Sequence, residues 1–345
     1  MKVSAISFSE KGAELAGRIA ELLCAAGDEV SCARGSGDGK VDHAEWTRRE
    51  FGASDALVFV GACGIAVRSI APLVVHKAQD PAVVVVDERG LHSIALLSGH
   101  IGGANALAAR IAEGIGADPV VTTATDVNGL FAVDSWAASQ DMAVANPGRI
   151  KAVSARLLAG GEAGVWSELP IAGEMPERVL AADAPAGADV VVGVHALAGE
   201  GDGDAVDGPL VLAPRVLVLG IGCRRGTPQA AIEARFAHTC EHEGLLPQAF
   251  GTLATIDVKA DEEGLLAFAA AHGMKVLCFD AATLSKAEGS FHSSDFVKKT
   301  VGVDNVCERA VVASGARIVA GRSASEGVTI AMGQMNASLQ WPGQG

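Results

Sequence analysis

The chain contains no tyrosine among its 345 residues, and aromatic residues make up only 4% of it. Its core must therefore be aliphatic, built from the Ala, Val, Leu and Ile that dominate an apolar content of 49%. Basic charge is scarce: 27 Lys and Arg face 41 Asp and Glu, for a net charge of −14. Without a basic stripe, the counterion release that drives nucleic-acid binding has no source. The same acidity does not suit an acidic membrane surface. No apolar run approaches the roughly 18 uncharged residues of a membrane span. The opening MKVSAISFSEKG has no signal-peptide core. The seven cysteines form no CxxC and no disulfide framework, as expected of a reducing cytoplasm. Most of these thiols read as packing, with Cys63 and Cys223, in glycine loops, the exceptions. Glycine, by contrast, is plentiful at 42 residues, as suits loops that turn tightly or let a ligand approach the backbone.

The apolar runs alternate with helix-like segments, which predicts an α/β fold with layered, largely parallel sheets. At the N-terminus, strands are expected at Lys2–Phe8, Ala56–Val60, Ala82–Val86, His92–Leu97 and Val120–Thr122. Helices are expected at Lys11–Ala26, after GACG (61–64), and from about Ala104. The third and fourth of these strands are close enough to pair as a hairpin. Residues 145–213 are richer in Gly, Pro, Ala and acidic residues and read as a small irregular middle segment. Its short strands fall at Val165–Ser167, Val190–Val194 and Leu210–Leu212, and 199–209 form a flexible loop. The α/β rhythm returns with strands at Val216–Ile221, Lys275–Phe279, Arg317–Ala320 and Val328–Met332. Thr227 and Pro228 read as the N-cap and first residue of a helix. A helix capped at Ser293 or Ser294 and stopped by Gly302 is expected, with another after Asp304. The resulting division is 1–140, 141–213, 214–336 and a tail, 337–345.

Three glycine-rich stretches end buried strands, where open α/β sheets bind ligands. In GACGIAVR (61–68), the turn at Gly61 and Gly64 exposes amides to an anion, with Arg68 in reserve. In SGHIGGAN (98–105), Ser98, His100 and Asn105 stand among Gly99, Gly102 and Gly103. His100 is the natural general base near neutral pH, and the loop amides offer an oxyanion hole. In TTATDVNG (122–129), Asp126 is placed to orient His100 or accept from a substrate, with Thr123 beside it; an Asx turn is the structural alternative. A fourth stretch, VLVLGIGCRRGTP (216–228), delivers Arg224 and Arg225 past Gly222, as suits carboxylate or phosphate recognition. Its GxGxxxG spacing raises a dinucleotide-binding reading, but the third glycine is displaced and two arginines fill the turn. Lys259 lies in another loop-to-helix junction. His238-x-Cys240-x-His242 lacks zinc-site spacing and reads as a solvated helix flank, so no metal site is expected.

Several of these stretches resemble one family. DPAVVVVDERG (80–90), LLSGHIGGANALA (96–108) and TTATDVNG are similar to the N-terminal domain of cobalt-precorrin-5A hydrolases. GIGCRRGTP, LATIDVKADEEGL (253–265) and VGVDNVCERA (301–310) are similar to its C-terminal domain. The resemblance covers most of 1–137 and 214–335 and is weakest over 145–213. It implies a hydrolase of the anaerobic, cobalt-early route to vitamin B12. Such an enzyme opens the ring A acetate δ-lactone of cobalt-precorrin-5A and releases the C-20 two-carbon unit as acetaldehyde, leaving cobalt-precorrin-5B. The implied partners are this anionic macrocycle and water, with the cobalt carried by the substrate and no cofactor held by the protein. Arginines in an acidic chain then meet a fringe of acetates and propionates.

For that reaction, the glycine-loop residues His100, Asp126 and Ser98 are the catalytic candidates: His100 as base with Asp126 orienting it, and Ser98 as an alternative nucleophile. The C-terminal domain also resembles a small stand-alone protein of the aerobic route. This points to hydrolysis in the N-terminal half and macrocycle binding by Gly222, Arg224, Arg225 and Lys259. A non-catalytic carrier of the intermediate is the competing reading. A homodimer and transient contacts with other cobalamin-pathway enzymes are both compatible with the sequence.

Overall fold

The computed structural model describes residues 1–76, 79–100, 102–197, 208–289, 291–292 and 305–343. The chain divides into two compact units, Met1–Ala138 with Leu157–Gly160, and Ser139–Arg156 with Gly161–Gly345.

In the first unit β1 (Lys2–Ser7), α1 (Glu10–Ala25), β2 (Glu29–Arg34), α2 (His43–Phe51), β3 (Ala56–Val60), α3 (Cys63–Ile70) and β4 (Ala82–Val86) alternate. Then come β5 (His92–Leu97), α4 (Ala104–Ile115), β6 (Asp118–Val120), α5 (Ala124–Val127) and α6 (Val133–Ser139). The sheet order is β2-β1-β3-β4-β5-β6. Every residue of β3 and β4 is buried, as expected of strands covered on both faces. One face packs Val3, Val58 and Val84 against Ile19 of α1 and Leu107 and Ile111 of α4. The other packs Leu57, Phe59 and Val83 against Trp46 of α2 and Ile70 of α3.

Strand direction decides the chemistry. β1, β2, β3 and β4 run parallel, β5 is antiparallel to β4, and β6 is parallel to β5. The loops after β5 and β6 therefore emerge side by side. The loop after β3 emerges at the opposite end, a strand length of about 17 Å away.

The second unit holds two five-stranded sheets. The first is built from β7 (Met142–Val144), β8 (Ala163–Ser167), β10 (Val179–Ala181), β11 (Val190–Val192) and β12 (Leu210–Pro214), with α7 (Ile150–Leu158) between β7 and β8. The order is β10-β8-β11-β12-β7, parallel except for β7. The segment expected to be irregular is thus a regular sheet, whose short strands draw their order from partners distant in sequence. The expected tail also has structure: β18 (Leu339–Gln340) pairs with β9 (Ile171–Ala172). The expected flexible loop at 199–209 lies largely outside the described residues, as do the cap at Ser293 or Ser294 and its helix.

The second sheet runs β15-β14-β13-β17-β16. Its strands are β13 (Leu217–Cys223), β14 (Phe250–Ile256), β15 (Lys275–Phe279), β16 (Arg317–Ser325) and β17 (Val328–Gln334). Helices α8 (Gln229–Glu243) and α9 (Glu263–Ala271) cover one face, and α10 (Ala281–Lys286) and α11 (Cys307–Ala313) the other. The cap of α8 is Pro228 rather than Thr227, whose hydroxyl instead donates to the Arg224 carbonyl at 2.7 Å.

The first of the glycines that suggested a dinucleotide turn has a packing role. A Cβ on Gly220 would lie 2.0 Å from the Cys307 carbonyl oxygen, so the glycine lets α11 sit against β13. Replacing Gly220 by Ala must displace that backbone. A loss of about 2–3 kcal/mol is expected, read as a lower denaturant midpoint with unchanged slope.

Candidate functional site: a histidine between two carboxylates

His100, Asp126 and Asp134 converge beyond the ends of β5 and β6. The loop 98–105 is shaped by its own backbone. Gly103, with φ +83°, caps α4 in the left-handed region, and its amide donates to the His100 carbonyl at 2.8 Å. The Ala104 and Asn105 amides donate to the Ser98 and Gly99 carbonyls. Those three amides are spent inside the loop, so Gly103 is not free to hold an oxyanion. A Cβ on Gly102 would stand 2.4 Å from the Ser98 Cβ, so the loop closes this tightly only with glycine there.

This fold presents the imidazole to carboxylates on both edges. His100 Nε2 donates to Asp126 Oδ2 at 2.5 Å, and Nδ1 donates to Asp134 Oδ2 at 3.0 Å. Asp126 Oδ2 also accepts from the Thr123 hydroxyl and, at 3.2 Å, from Asn105 Nδ2, which itself donates to Thr123 Oγ1 at 2.9 Å. The Thr125 hydroxyl stands 3.4 Å from Nε2. The His100 side chain is 15% exposed, Asp126 35% and Asp134 9%. Asp134 thus closes the back of the site and Asp126 its mouth.

Electrostatics follow. The Asp134 hydrogen bond, opposed by burial and reinforced by Asp126, lifts the His100 pKa from 6.5 to about 9. Burial pushes Asp126 up, but the Thr123 hydroxyl and the imidazole outweigh it and hold that carboxylate below its ordinary range. At neutral pH the ring is an imidazolium with both N–H bonds engaged. It has no lone pair, so the expected general base does not fit this charge state.

The other expected residues divide. Asn105, Thr123 and Asp126 join His100. Ser98 does not: its hydroxyl donates to the Asp80 carbonyl at 2.9 Å, and its backbone is left-handed at φ +56°. An oxygen turned that way has no base beside it, which removes the support for a serine nucleophile. Gly61, Gly64 and Arg68 belong to the other end of the sheet. The Gly61 amide donates to the Val86 carbonyl at 2.8 Å, and Arg68 folds back onto the Gly64 carbonyl at 2.9 Å. They cannot share one carbonyl substrate with the 98–105 loop.

In the second unit the parallel β13, β14 and β15 end together, which gathers the remaining candidates. Arg225 pairs with Asp261 at 3.1 Å and with Glu262 at 3.6 Å. Lys259 Nζ donates to Glu262 Oε1 at 2.9 Å, and the Gly226 amide to Glu262 Oε2 at 2.9 Å. Glu262 is 4% exposed; burial pushes it up, but that amide and the ammonium hold it below its usual range. Lys259 is therefore committed to a buried internal partner, contrary to the expectation that it faces substrate. Gly222 accepts the Thr329 hydroxyl at 3.0 Å through its carbonyl, a strand-to-strand contact. Arg224 is exposed, and its guanidinium has no partner among the described residues. A cavity of about 620 Å³ lies here, lined by Arg225, Gly226, Thr227, Asp261, Glu262 and Glu263 among others. Burial pushes the Cys223 thiol up, away from reactivity.

Sequence reasoning missed Asp134. Its signal was a single carboxylate in FAVDSWAAS (131–139), where Phe131, Val133, Trp136 and Ala137 are buried. A charge among such neighbours requires a partner. His238 and His242 lie exposed on α8, as expected of a solvated flank, and no group of metal-ligating side chains occurs among the described residues. Nor is any described helix long and apolar enough to cross a membrane.

An α/β protein with two glycine-loop sites at strand ends is the class this architecture defines, and the comparisons specify it. Residues 45–126 match the family described as Cobalamin synthesis G N-terminal, and 217–333 the family described as Cobalamin synthesis G C-terminus. The cobalt-precorrin-5A hydrolase of Salmonella typhimurium is 36% identical over 302 residues, 84% of this chain and 85% of that one. The cobalt-precorrin-5A hydrolase of Priestia megaterium is 33% identical over 273 residues, 74% of this chain and 71% of that one. A solved cobalamin biosynthesis protein G homologue from Sulfolobus solfataricus is 22% identical, with a TM-score of 0.42 over 96% of this chain and 97% of that one. The chain belongs to the cobalt-precorrin-5A hydrolase family.

Proposed function

We propose that this protein hydrolyses cobalt-precorrin-5A, opening the ring A acetate δ-lactone and releasing the C-20 two-carbon unit as acetaldehyde to give cobalt-precorrin-5B. The observation that carries this reading is the Asp126–His100–Asp134 array. His100 and Asp126 lie inside the matched N-terminal region, in a chain 33–36% identical to curated hydrolases of that substrate.

Lactone opening needs a proton for the oxygen that leaves the acyl carbon and an acceptor for a proton of the attacking water. His100, stored as an imidazolium, supplies the first. Asp126, at the mouth, takes the second, its strength as a base rising once His100 has given up its charge. The neutral imidazole then accepts the hydroxyl proton as the two-carbon unit leaves in a retro-aldol step, with the macrocycle taking up the electrons. No step is routed through a cofactor of the protein; the cobalt arrives and departs with the substrate.

Arg224 and Arg225 are assigned to substrate carboxylates. The Arg225–Asp261 pair is about two-thirds exposed on both sides. Such a pair contributes about 0–1 kcal/mol and can exchange for a substrate carboxylate. Replacing Arg224 by Ala is expected to weaken macrocycle binding by roughly tenfold, about 1.4 kcal/mol, with kcat unchanged. A titration of macrocycle absorbance checks this.

Anaerobic incubation with cobalt-precorrin-5A, assaying acetaldehyde, tests the reading. Many equivalents of acetaldehyde per chain are expected. Tight binding with no acetaldehyde would instead make the protein a carrier.

A further inference from the structure

We propose that Asp134 is the positioning residue of this site: from the closed side it fixes the His100 ring so that Nε2 faces Asp126. The inference rests on the reading of His100 as the reacting acid. It concerns a residue that lies beyond the matched region, which ends at residue 126.

Three observations support it. First, Asp134 cannot act on substrate directly. Its side chain is 9% exposed, against 35% for Asp126, and it stands in the first turn of α6 between the buried Val133 and Trp136. Second, its carboxylate is already directed: Oδ2 accepts from His100 Nδ1 at 3.0 Å, and Oδ1 from the Ser135 amide at 3.1 Å. A carboxylate in that apolar setting is costly unless paired, so the site favours a ring that presents N–H to it. Third, an imidazole is nearly symmetric in shape. Rotation by half a turn would put carbons where the nitrogens now stand, and only hydrogen-bond partners distinguish the two poses. Asp126 alone could be met by either nitrogen. The second anchor on Nδ1 leaves one pose that satisfies both.

The charged groups facing the ring are Asp126 from α5 and Asp134 from α6. The polar ones are Thr123, Thr125 and Asn105. Of these, the Asp134 hydrogen bond does most to hold the ring in its cationic form.

Asp134→Asn tests the proposal, because it keeps the shape and an acceptor but removes the charge. The full chain is labelled with 15N-histidine, and two quantities are followed: the His100 ring resonances against pH, and acetaldehyde release under anaerobic single turnover. The titration midpoint of His100 should fall by about one pH unit or more. The kcat should fall on the order of 10²-fold, with KM within about twofold. Asp134→Glu, which restores the charge one methylene further out, should recover at least a tenth of wild-type kcat. If Asp134→Asn does not fold, Asp134→Ser, which also removes the charge, carries the test: an unmoved His100 titration together with unchanged kcat overturns the proposal. In either variant, a shifted titration with an unchanged rate upholds the hold on the ring and overturns His100 as the acid. An unshifted titration with a lost rate overturns the positioning role and leaves His100 standing.

Discussion

His100→Ala is expected to cut acetaldehyde release by about 10³-fold, with macrocycle binding kept within a few fold. The lower end of general acid catalysis is about 10²-fold. Here the loss is larger because the ring serves both carboxylates at once. Without it, Asp126 faces the buried Asp134 with no cation between them, and a neighbouring like charge disfavours the ionised form of Asp126. The variant therefore loses the proton donor and also biases Asp126 toward the protonated form, which cannot take a proton from water. Binding is spared because the arginines assigned to substrate carboxylates, Arg224 and Arg225, both follow β13, in the second unit. Single-turnover acetaldehyde assays beside equilibrium titrations separate the two effects. A variant retaining a tenth of the wild-type rate would remove His100 from the chemistry.

The second large effect is on pH. With a pKa raised from 6.5 to about 9, His100 stays cationic across the neutral range and loses its proton only near pH 9. If the imidazolium is the acid, kcat/KM should hold up to about pH 8 and then fall tenfold per pH unit above 9. A residue acting as a base would produce a rate that climbs toward pH 9 instead. Stability should follow the same group. Its folded pKa lies above its unfolded value, so its contribution is complete below about pH 6.5 and is lost as pH rises through 9. The rise corresponds to roughly 3 kcal/mol. Asp126, held low, contributes in the opposite sense and only toward acid. Denaturant midpoints at pH 6 and pH 9.5 should therefore differ more in the wild type than in His100→Gln. Equal differences would show that the two carboxylates do not hold the charge.

Much of the first unit was legible because burial leaves a mark on composition. ALVFV (56–60) and AVVVV (82–86) could only be strands covered on both faces, and their bounds agree with the structure. β2, by contrast, left little mark: Glu29–Arg34 has no fully buried residue, as befits an edge strand paired on one side only. Two short strands of 142–214 were hard to read for a related reason. Met142–Val144 and Val179–Ala181 hold three residues each, too few to show a period, and gain their order from neighbours in the sheet.

The candidate site divides along the same line. Residue type and local spacing marked His100, Asn105, Thr123 and Asp126, because polar groups in glycine loops at strand ends are informative without coordinates. Strand direction was not marked. The reversal at β5 placed Gly61, Gly64 and Arg68 away from His100, and it depends on hydrogen-bond register across the sheet. Asp134 was equally hidden, since its meaning depends on a partner 34 residues earlier in the chain.

By itself the sequence determined that this is an aliphatic α/β protein with glycine-loop sites and a family likeness, because side-chain volume, periodicity and turn chemistry are local properties. Only the tertiary structure decided which of those loops stand side by side, and that the histidine lies between two carboxylates. Both are set by direction and distance between segments that the chain order does not fix.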